Sequence, residues 1–375
     1  MNIFVNARFL AQEITGTQRF AINLSLELKK AWPDTVFLAP PKVLDNELAD
    51  KLDVKLVGNN TYSIYQKFKL PANLLWEQID LPLVLRQQDN PPLLNLVNTG
   101  PFFYKNSFIT IHDLAFKVRN KDFSRRFALL YNLLLPRLAH RARLVFTVSN
   151  FSKQELINLL GIPTEQITVI YNAVDCRYWH NQTISPTPLY QQPYILAVGS
   201  LSPRKNLARL ITAFLALKEP NLRLVIVGND NLSVFKHSGC LANELSEIKQ
   251  NRLSQIIFTG YLNDQDLARL YRDALCFCYP SIYEGFGIPP LEAQAFDCPV
   301  LVSNRTALPE VFADSALYCN PEDTEDIKAK LAQLLNDESL RQKLILAGKH
   351  NIRRFSWQRS AKLVAESIIQ TMSVL

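Results

Sequence analysis

Short apolar strands alternate with amphipathic helices along this chain, and the series runs twice. Such alternation is typical of open parallel sheets that are covered by helices on both faces. The pattern therefore predicts an α/β chain with two doubly wound units. The strand-like stretches are "NIFVNA", "TVFLAP", "LLNLVNT", "SFITIHD", "RLVFTVS" and "ITVIYNAV", followed in the second series by "YILAVGS", "RLVIVG", "IIFTGYL", "LCFCYPS", "PVLVSN" and "ALYCN".

A polar stretch without periodicity, "HNQTISPTPLYQQP", separates the two series and is typical of an exposed linker. The 375 residues are enough for two cores. We expect a first domain over 1–180, a linker over 181–193, a second domain over 194–355, and a final helix over 356–375 that packs back towards the first domain. Ligands of such sheets bind beyond the carboxyl ends of the strands, so two facing units would share a cleft.

Composition is that of a soluble globular protein, with 48% hydrophobic and 20% charged residues. The longest largely apolar run, Phe127 to Pro136, is too short to cross a bilayer, and "MNIFVNARFL" lacks the basic start of a signal peptide. The 6 cysteines include no CxxC pair, which favours free thiols in a reducing compartment over a zinc site. We expect a cytoplasmic protein.

Basic residues are concentrated in the first half. Residues 1–185 hold 21 Lys plus Arg against 15 Asp plus Glu, so 21 − 15 = +6 of the net +7 lies there. The segment 117–143 alone has eight bases and one acid. It predicts either a helix with a solvated basic face, the favoured interpretation, or peripheral association with an anionic membrane at its inner face. No nucleic-acid partner is expected, because no recognised module is present.

Two adjacent cations, Arg204 and Lys205, follow the strand "YILAVGS" and are predicted at the start of the helix "NLARLITAFLAL". Cations at a helix N-terminus oppose the helix dipole, which favours a functional anion site over a solvated pair. Phosphate is the natural ligand. Neither GxGxxG nor GxxxxGK[ST] occurs in the chain, so the cation pair would take the place of those phosphate-binding loops.

The stretch "YEGFGIPPLEA" places Glu284 and Glu292 on either side of a run of glycines and prolines. Glycine disfavours helix and proline favours its first turn, so Glu284 is predicted in a loop and Glu292 in the first turn of a helix that begins near Pro289. Helix-end electrostatics would explain Glu292. They leave Glu284 unexplained.

Other polar residues follow predicted strands. His112 ends the strand of "FITIHDL"; a lone histidine is more often structural, yet catalytic groups gather at this position, so the residues alone leave the choice open. Gly16, in "TGTQRF", would let a ligand approach the backbone or would only serve helix entry. "DQD", from Asp264 to Asp266, offers carboxylates for a metal, but helix capping explains it better.

Taken together, these segments resemble the glycosyltransferases of family 4, which have the GT-B fold of two facing Rossmann-like domains. The glutamates of "EGFGIPPLEA" are the strongest marker, and "GSLSPRKN" is similar to the family's diphosphate-binding segment. "TIHDL", "TVSNFSK", "IYNAVD" and "FSWQRSA" also match in order. Many members have an arginine directly after the glycine that corresponds to Gly199. Here Ser200 follows, so the chain looks like the "RKN" branch, in which Arg204 and Lys205 take both cationic roles.

The resemblance implies roles for single residues. Glu284 would contact donor-sugar hydroxyls and Glu292 the ribose, since a carboxylate accepts hydrogen bonds from a diol. His112 would support the transferring sugar or the developing charge. Further donor-binding residues, on the backbone near the sugar and diphosphate or near the base, would be Gly16, Gly285, Phe286, Gly287, Ile288, Tyr261 and Leu262.

The implied activity is retaining transfer of a hexose, with mannose among the candidates, from a nucleoside-diphosphate sugar to a glycan or lipid-linked acceptor. Surface polysaccharide or exopolysaccharide assembly is the expected context. We expect no cofactor and no metal. Alternatives on the same architecture are a nucleotide-sugar epimerase, a phosphorylase, or an inactive binding subunit.

Overall fold

The computed structural model describes residues 2–174, 185–228 and 254–373. The chain divides into two compact units. The first consists of the residues up to Asn172 together with those from Ser356 onward, and the second is Ala173–Phe355. Part of the predicted linker lies outside the described residues, and 185–193 contain no helix or strand.

A seven-stranded sheet in the order β3-β2-β1-β4-β5-β6-β7 forms the centre of the first unit, and every pair of neighbours is parallel. Its strands are short and mostly buried, as expected for a parallel sheet covered on both faces. They are β1 (Phe4–Asn6), β2 (Val36–Ala39), β3 (Val54–Leu56), β4 (Leu93–Asn95), β5 (Ser107–Thr110), β6 (Leu144–Thr147) and β7 (Ile167–Val169).

Helices connect these strands. A π-helical turn, Trp76–Asp80, and 3-10 turns at Arg8–Ala11, Asn120–Asp122 and Thr164–Gln166 complete the unit. The helices are α1 (Gly16–Ala31), α2 (Asn46–Lys51), α3 (Asn59–Lys67), α4 (Ala72–Leu75), α5 (Leu81–Arg86), α6 (Ala115–Val118), α7 (Arg125–Arg141) and α8 (Asn150–Leu160).

The second unit has a six-stranded parallel sheet in the order β10-β9-β8-β11-β12-β13. The strands are β8 (Tyr194–Val198), β9 (Arg223–Val227), β10 (Ile256–Phe258), β11 (Cys276–Tyr279), β12 (Val300–Ser303) and β13 (Leu317–Cys319). The helices described here are α9 (Leu207–Ala216), α10 (Asp264–Asp273), α11 (Ile288–Ala295), α12 (Leu308–Phe312), α13 (Thr324–Asn336) and α14 (Glu338–Ile352), with 3-10 turns at Pro203–Lys205 and Ala313–Ser315.

A last helix, α15 (Trp357–Ser373), packs on α1 of the first unit. The Trp357 ring meets Phe20 edge-on at 5.6 Å between centroids. The Ser360 hydroxyl donates to the carbonyl of Tyr171 at 2.7 Å. Residues that follow the second unit in the chain therefore complete the first.

Both units are the parallel α/β folds that the sequence predicts, with two differences. The strand β3 is absent from the prediction, because it has three residues and two of them are exposed. The basic segment 117–143 forms α6, a 3-10 turn and α7 rather than one helix. On α7 the exposed side chains include leucines as well as arginines, so its exposed face is not only basic.

Candidate active site

Each sheet has one point at which the strand order reverses. In the first unit it lies between β1 and β4, and in the second between β8 and β11. The loops that leave neighbouring strands at such a point diverge to opposite sides, and the carboxyl ends of those strands are where ligands bind in doubly wound sheets. The predicted cation pair follows β8 and Glu284 follows β11. The second switch point therefore brings together the residues that the sequence singled out.

Arg204 and Lys205 lie in the 3-10 turn Pro203–Lys205, directly before the N-cap of α9. Asn206 separates them from the helix and adopts the left-handed conformation at φ 58°. Its buried amide nitrogen donates to the carbonyls of Pro280 at 3.0 Å and Pro321 at 2.6 Å. Asn206 thus links the turn by hydrogen bonds to the residues that follow β11 and β13.

Glu284 lies in the loop after β11, as predicted, and both cations contact its carboxylate. The Lys205 Nζ atom lies 2.7 Å from Glu284 Oε1, and Arg204 Nη1 lies 3.5 Å from Oε2. The backbone N–H of Glu284 donates to the Thr306 hydroxyl at 3.1 Å. The Lys205 ammonium also donates to the Tyr279 hydroxyl. Two positive groups therefore share one negative group.

Charge controls the protonation of this cluster. Burial raises the pKa of the Glu284 carboxyl, but attraction to Lys205 and then to Arg204 outweighs burial and leaves that pKa below its usual value. The pKa of Tyr279 is raised well above its usual value by burial and by the nearby Glu284 charge. At neutral pH the site therefore holds an ionised carboxylate and a neutral phenol.

Helix α11 begins at Ile288, directly after Gly287, whose φ of 103° strains any residue with a side chain. A Cβ atom on Gly287 would also lie 2.6 Å from Leu308 Cδ2. The prediction that Glu292 occupies the first turn is wrong, because it is the fifth residue of α11. The carboxylate is held instead by the Tyr271 hydroxyl, which donates to Oε2 at 2.9 Å.

The other predicted donor-binding residues occupy varied environments. Phe286 is buried and meets Phe355 edge-on at 5.4 Å between centroids, so its side chain belongs to the core. Gly285 lies beside it in the loop, and Ile288 is half-buried. Tyr261, after β10, is 84% exposed and Leu262 is half-buried. The assignment of these residues to the donor stays a prediction.

His112 follows β5 in the first unit and is buried. Its ring Nε2 lies 2.9 Å from the Leu96 carbonyl, so Nε2 carries the proton and donates. The backbone N–H donates to Asn98 Oδ1 at 2.9 Å, and Phe20 meets the ring edge-on. Burial lowers the pKa of His112. The ring is neutral at pH 7, and Nδ1 is therefore its acceptor nitrogen.

Gly16 is the first residue of α1 and lies inside the capping box that Thr15 and Gln18 form. A Cβ atom built on Gly16 would meet nothing within 4 Å. Within the described residues, therefore, no neighbouring atom is close enough to require glycine at this position.

Sequence reasoning missed a buried ion pair at the switch point of the first sheet. Arg8 Nε lies 3.2 Å from Glu77 Oε1, and Arg8 Nη2 donates to the Thr99 hydroxyl at 2.7 Å. The signal in the sequence is that Arg8 is the one charged residue among the first ten. Asn206 and Tyr271, which position the predicted residues, were also missed.

The structure suggests no metal ligands at "DQD". Asn263 caps α10, while Asp266 lies 3.0 Å from Arg269 Nη1 within the same helix. Over 2–174, 185–228 and 254–373, no group of three or more His, Cys, Asp or Glu side chains is placed to hold a metal ion. Of the helices in those ranges, none is long and apolar enough to cross a membrane.

Comparison with known proteins identifies two family models in this chain. The model described as Glycosyltransferase Family 4 matches 14–178, and the one described as Glycosyl transferases group 1 matches 184–351. The O-antigen chain mannosyltransferase B of Escherichia coli is 32% identical over 273 residues, which cover 69% of this chain and 70% of that protein. The serotype-specific mannosyltransferase WbdA of Escherichia coli is 32% identical over 242 residues, covering 62% of this chain but only 29% of its own length.

Among solved structures, HepE of Anabaena in complex with UDP and glucose has a TM-score of 0.72 and 16% identity, covering 98% of this chain and 99% of its own. This similarity shows the fold, which is that of GT-B glycosyltransferases. Together with the two family models and the relative that is matched over more than two thirds of its length, it leads to one conclusion: the chain belongs to glycosyltransferase family 4.

Proposed function

We propose that this glycosyltransferase moves a hexose, specifically mannose, from a nucleoside-diphosphate sugar to a glycan or lipid-linked acceptor in surface polysaccharide assembly, with retention of the anomeric configuration. The observation that carries the proposal is the contact of Lys205 and Arg204 with Glu284 at the second switch point. The names of the Escherichia coli relatives support mannose and polysaccharide. The UDP bound to the Anabaena neighbour supports a nucleotide-sugar donor.

The cation pair binds the diphosphate. Two positive charges face one carboxylate, so the cluster keeps a net positive charge for an anion. When the bond between the sugar and the diphosphate breaks, its electron pair moves to a phosphate oxygen, and Lys205 stabilises the charge that develops there. A well-placed donor in such a role contributes about 2.7–4 kcal/mol by analogy with oxyanion holes. Because these side chains supply the charge, we expect transfer to need no divalent metal.

The two glutamates bind hydroxyl groups of the donor. Glu284, ionised and fixed by Lys205, accepts hydrogen bonds from the sugar. Glu292, with Oε2 held by Tyr271, accepts from the ribose. The first contact lies at the reacting sugar and the second far from it, so the two residues should affect turnover and binding differently.

The first unit binds the acceptor. His112, with its proton on Nε2 and its acceptor nitrogen at Nδ1, accepts a hydrogen bond from a hydroxyl of the reacting sugars. The open surroundings of Gly16 fit an approach of the donor to the backbone there. Both residues follow the carboxyl ends of strands in the first sheet.

Helix α7 associates with an anionic membrane surface. Leu129, Leu130 and Leu133 are 74%, 49% and 55% exposed on this helix, and the exposed Arg137 and Arg141 follow Leu133 one and two helical turns later. An amphipathic helix of this kind enters the interface with its leucines while arginines meet lipid phosphates. A lipid-linked acceptor would then be met at the membrane surface.

A donor screen tests the proposed activity. Nucleotide sugars are compared for thermal stabilisation of the protein, since a ligand that binds the folded state raises its melting temperature. The best donor is then incubated with acceptor in excess chelator, and the product anomer is assigned by NMR. We expect a mannose-linked nucleoside diphosphate to stabilise the protein and a retained anomer to form. Loss of activity that magnesium restores would exclude the metal-free mechanism, and an inverted anomer would exclude retention.

Membrane association is tested by cosedimentation with anionic and with neutral phosphatidylcholine vesicles. A Leu129→Ser/Leu133→Ser variant should bind anionic vesicles at least about fivefold more weakly. The matched control is Leu346→Ser, which removes a leucine that is 60% exposed in the second unit. Equal binding by parent and double variant at low salt would exclude α7 as the membrane surface.

A further inference from the structure

A cluster of polar side chains lies at the switch point of the first sheet, where the proposed function assigns no residue. Asn6 ends β1, Asn95 ends β4, and the two residues lie opposite each other in the sheet. The Asn6 side-chain amide donates a hydrogen bond to Asn95 Oδ1 at 3.0 Å. Asn6 also donates to Glu77 Oε1 at 2.9 Å, and Arg8 contacts the same oxygen at 3.2 Å. Thr99 accepts from Arg8 at 2.7 Å. The arrangement is built around one carboxylate.

Stability alone is a poor reason for this cluster. A buried ion pair gains little over apolar side chains of similar volume, because removing both charges from water offsets their attraction. Glu77 moreover lies in a π-helical turn, Trp76–Asp80, a conformation that is rare and concentrated at functional sites. Both features indicate a binding role at the strand ends.

Arg8 is the member of the pair that reaches the surface. Its side chain keeps 10% of its area exposed, whereas that of Glu77 keeps none. The guanidinium has five N–H donors. Its Nε atom is itself buried, 3.2 Å from Glu77 Oε1, so a ligand would meet the outer Nη atoms of the guanidinium. The bond to Thr99 uses only one hydrogen of Nη2, which leaves further N–H donors of the guanidinium for a ligand.

The charge of the cluster selects the class of ligand. Glu77 balances Arg8, so the pair is neutral as a whole and a phosphate would meet a fully buried carboxylate behind the guanidinium. A neutral hydroxyl or ring oxygen carries no such penalty and accepts well from a charged donor. The cluster therefore fits a saccharide rather than an anion.

One short segment links this cluster to His112. Thr99 holds Arg8, Asn98 accepts from the His112 backbone, and the Leu96 carbonyl accepts from the His112 ring. Residues 96–99 thus place the guanidinium and the imidazole along the same strand-end loop of the first unit. A sugar bound by one would lie beside the other.

From this geometry we infer that Arg8, oriented by Glu77, binds a hydroxyl of the saccharide acceptor. The inference rests on the proposed function and assigns that function's acceptor to named residues. Arg8 is a binding residue, Glu77 and Thr99 are positioning residues, and no covalent step is involved.

The test uses the full chain, the donor identified above, and octyl glycosides of mannose, glucose and galactose as acceptor probes. Donor hydrolysis without acceptor is measured beside transfer. Arg8→Lys keeps the charge opposite Glu77 but loses the planar fork. It should raise the KM of the acceptor about tenfold while donor hydrolysis and nucleoside-diphosphate affinity stay within about twofold. The control is Arg119→Lys, because Arg119 contacts Asp122 in the same unit at the same distance of 3.2 Å.

Thr99→Val serves as a second variant if Arg8→Lys melts at a much lower temperature, since valine keeps the shape and removes the hydroxyl that holds Arg8. It should raise the same KM by a smaller factor. An unchanged acceptor KM, or an equal fall in hydrolysis and transfer, overturns the inference. A parent that hydrolyses the donor but elongates no glycoside also overturns it. A parent with neither activity contradicts the proposed function instead.

Discussion

The two switch points of this glycosyltransferase have the same construction but different charge. In each, a basic residue that follows one central strand contacts a single carboxylate. The second unit sets two cations, Arg204 and Lys205, against Glu284, while the first sets Arg8 alone against Glu77. One architecture thus provides a positive site that suits a diphosphate and a balanced site that suits a neutral sugar. The count of cations, rather than the fold, distinguishes them.

The largest effect should come from removing one cation of the positive site. We expect Lys205→Ala to lower kcat by about 100- to 1000-fold, the loss typical of an oxyanion-stabilising donor. Initial rates at saturating donor measure it. Lys328→Ala is the control, because this lysine also contacts a glutamate, at 2.9 Å, on α13. A fall of less than about threefold for Lys205→Ala would show that the second site needs no surplus charge.

The variants Glu284→Ala and His112→Ala test whether these residues contact the reacting sugar rather than the nucleotide. Each variant should keep nucleoside-diphosphate affinity and lower kcat by about 10- to 100-fold, because the proposed hydrogen bonds act during transfer. Calorimetric binding and initial rates are the two measurements. Parental turnover in either variant would mean that the residue in question is structural.

Glu292→Ala should chiefly weaken donor binding. A ribose contact is equal in the ground and transition states, so the donor KM should rise about tenfold with a smaller fall in kcat. Tyr271→Phe, which removes the hydroxyl bonded to Glu292 Oε2, should give a weaker form of the same change. Donor affinity equal to that of the parent in Glu292→Ala would refute the ribose assignment.

Salt should distinguish the two switch points directly. The Debye screening length falls from about 10 Å at 0.1 M salt to about 3 Å at 1 M. The affinity for a nucleoside diphosphate should therefore fall several-fold over this range. The acceptor KM should change by less than about twofold, because the ligand of the balanced site is neutral. Titrations at several salt concentrations measure both. Equal salt dependence at both sites would contradict the proposed difference in charge.

A small pH effect is expected from the first unit. The pKa of His112 is lowered from 6.5, so the unfolded chain binds this proton more readily than the folded one. The stability contributed by neutral His112 is therefore complete above 6.5 and is lost as the pH falls below it. Urea unfolding of parent and His112→Gln at pH 7.5 and 5.5 measures the difference. A parent no more sensitive to acid than the variant would contradict the assignment.

Residues close in sequence were predictable, and contacts between distant ones were not. The alternating pattern predicted every strand except the exposed β3. "PRKN" and "EGFGIPPLE" predicted that Arg204, Lys205 and Glu284 lie after strands, because these positions follow from local order, while the roles of the three residues stay predictions. The Arg8–Glu77 pair joins residues 69 positions apart through a π-helical turn that no periodicity reveals. Glu292 falls just beyond the first turn because α11 begins at Ile288, one residue before the predicted start.

The packing of α15 on α1 has a consequence for the order of folding. Domains generally form as units while the chain is being made. The second unit, Ala173–Phe355, is continuous and can fold as soon as it leaves the ribosome. The first unit is complete only when the segment from Ser356 has been synthesised, because this segment covers the side of α1 that contacts Trp357. The half of the enzyme that is synthesised first is thus the half that is finished last.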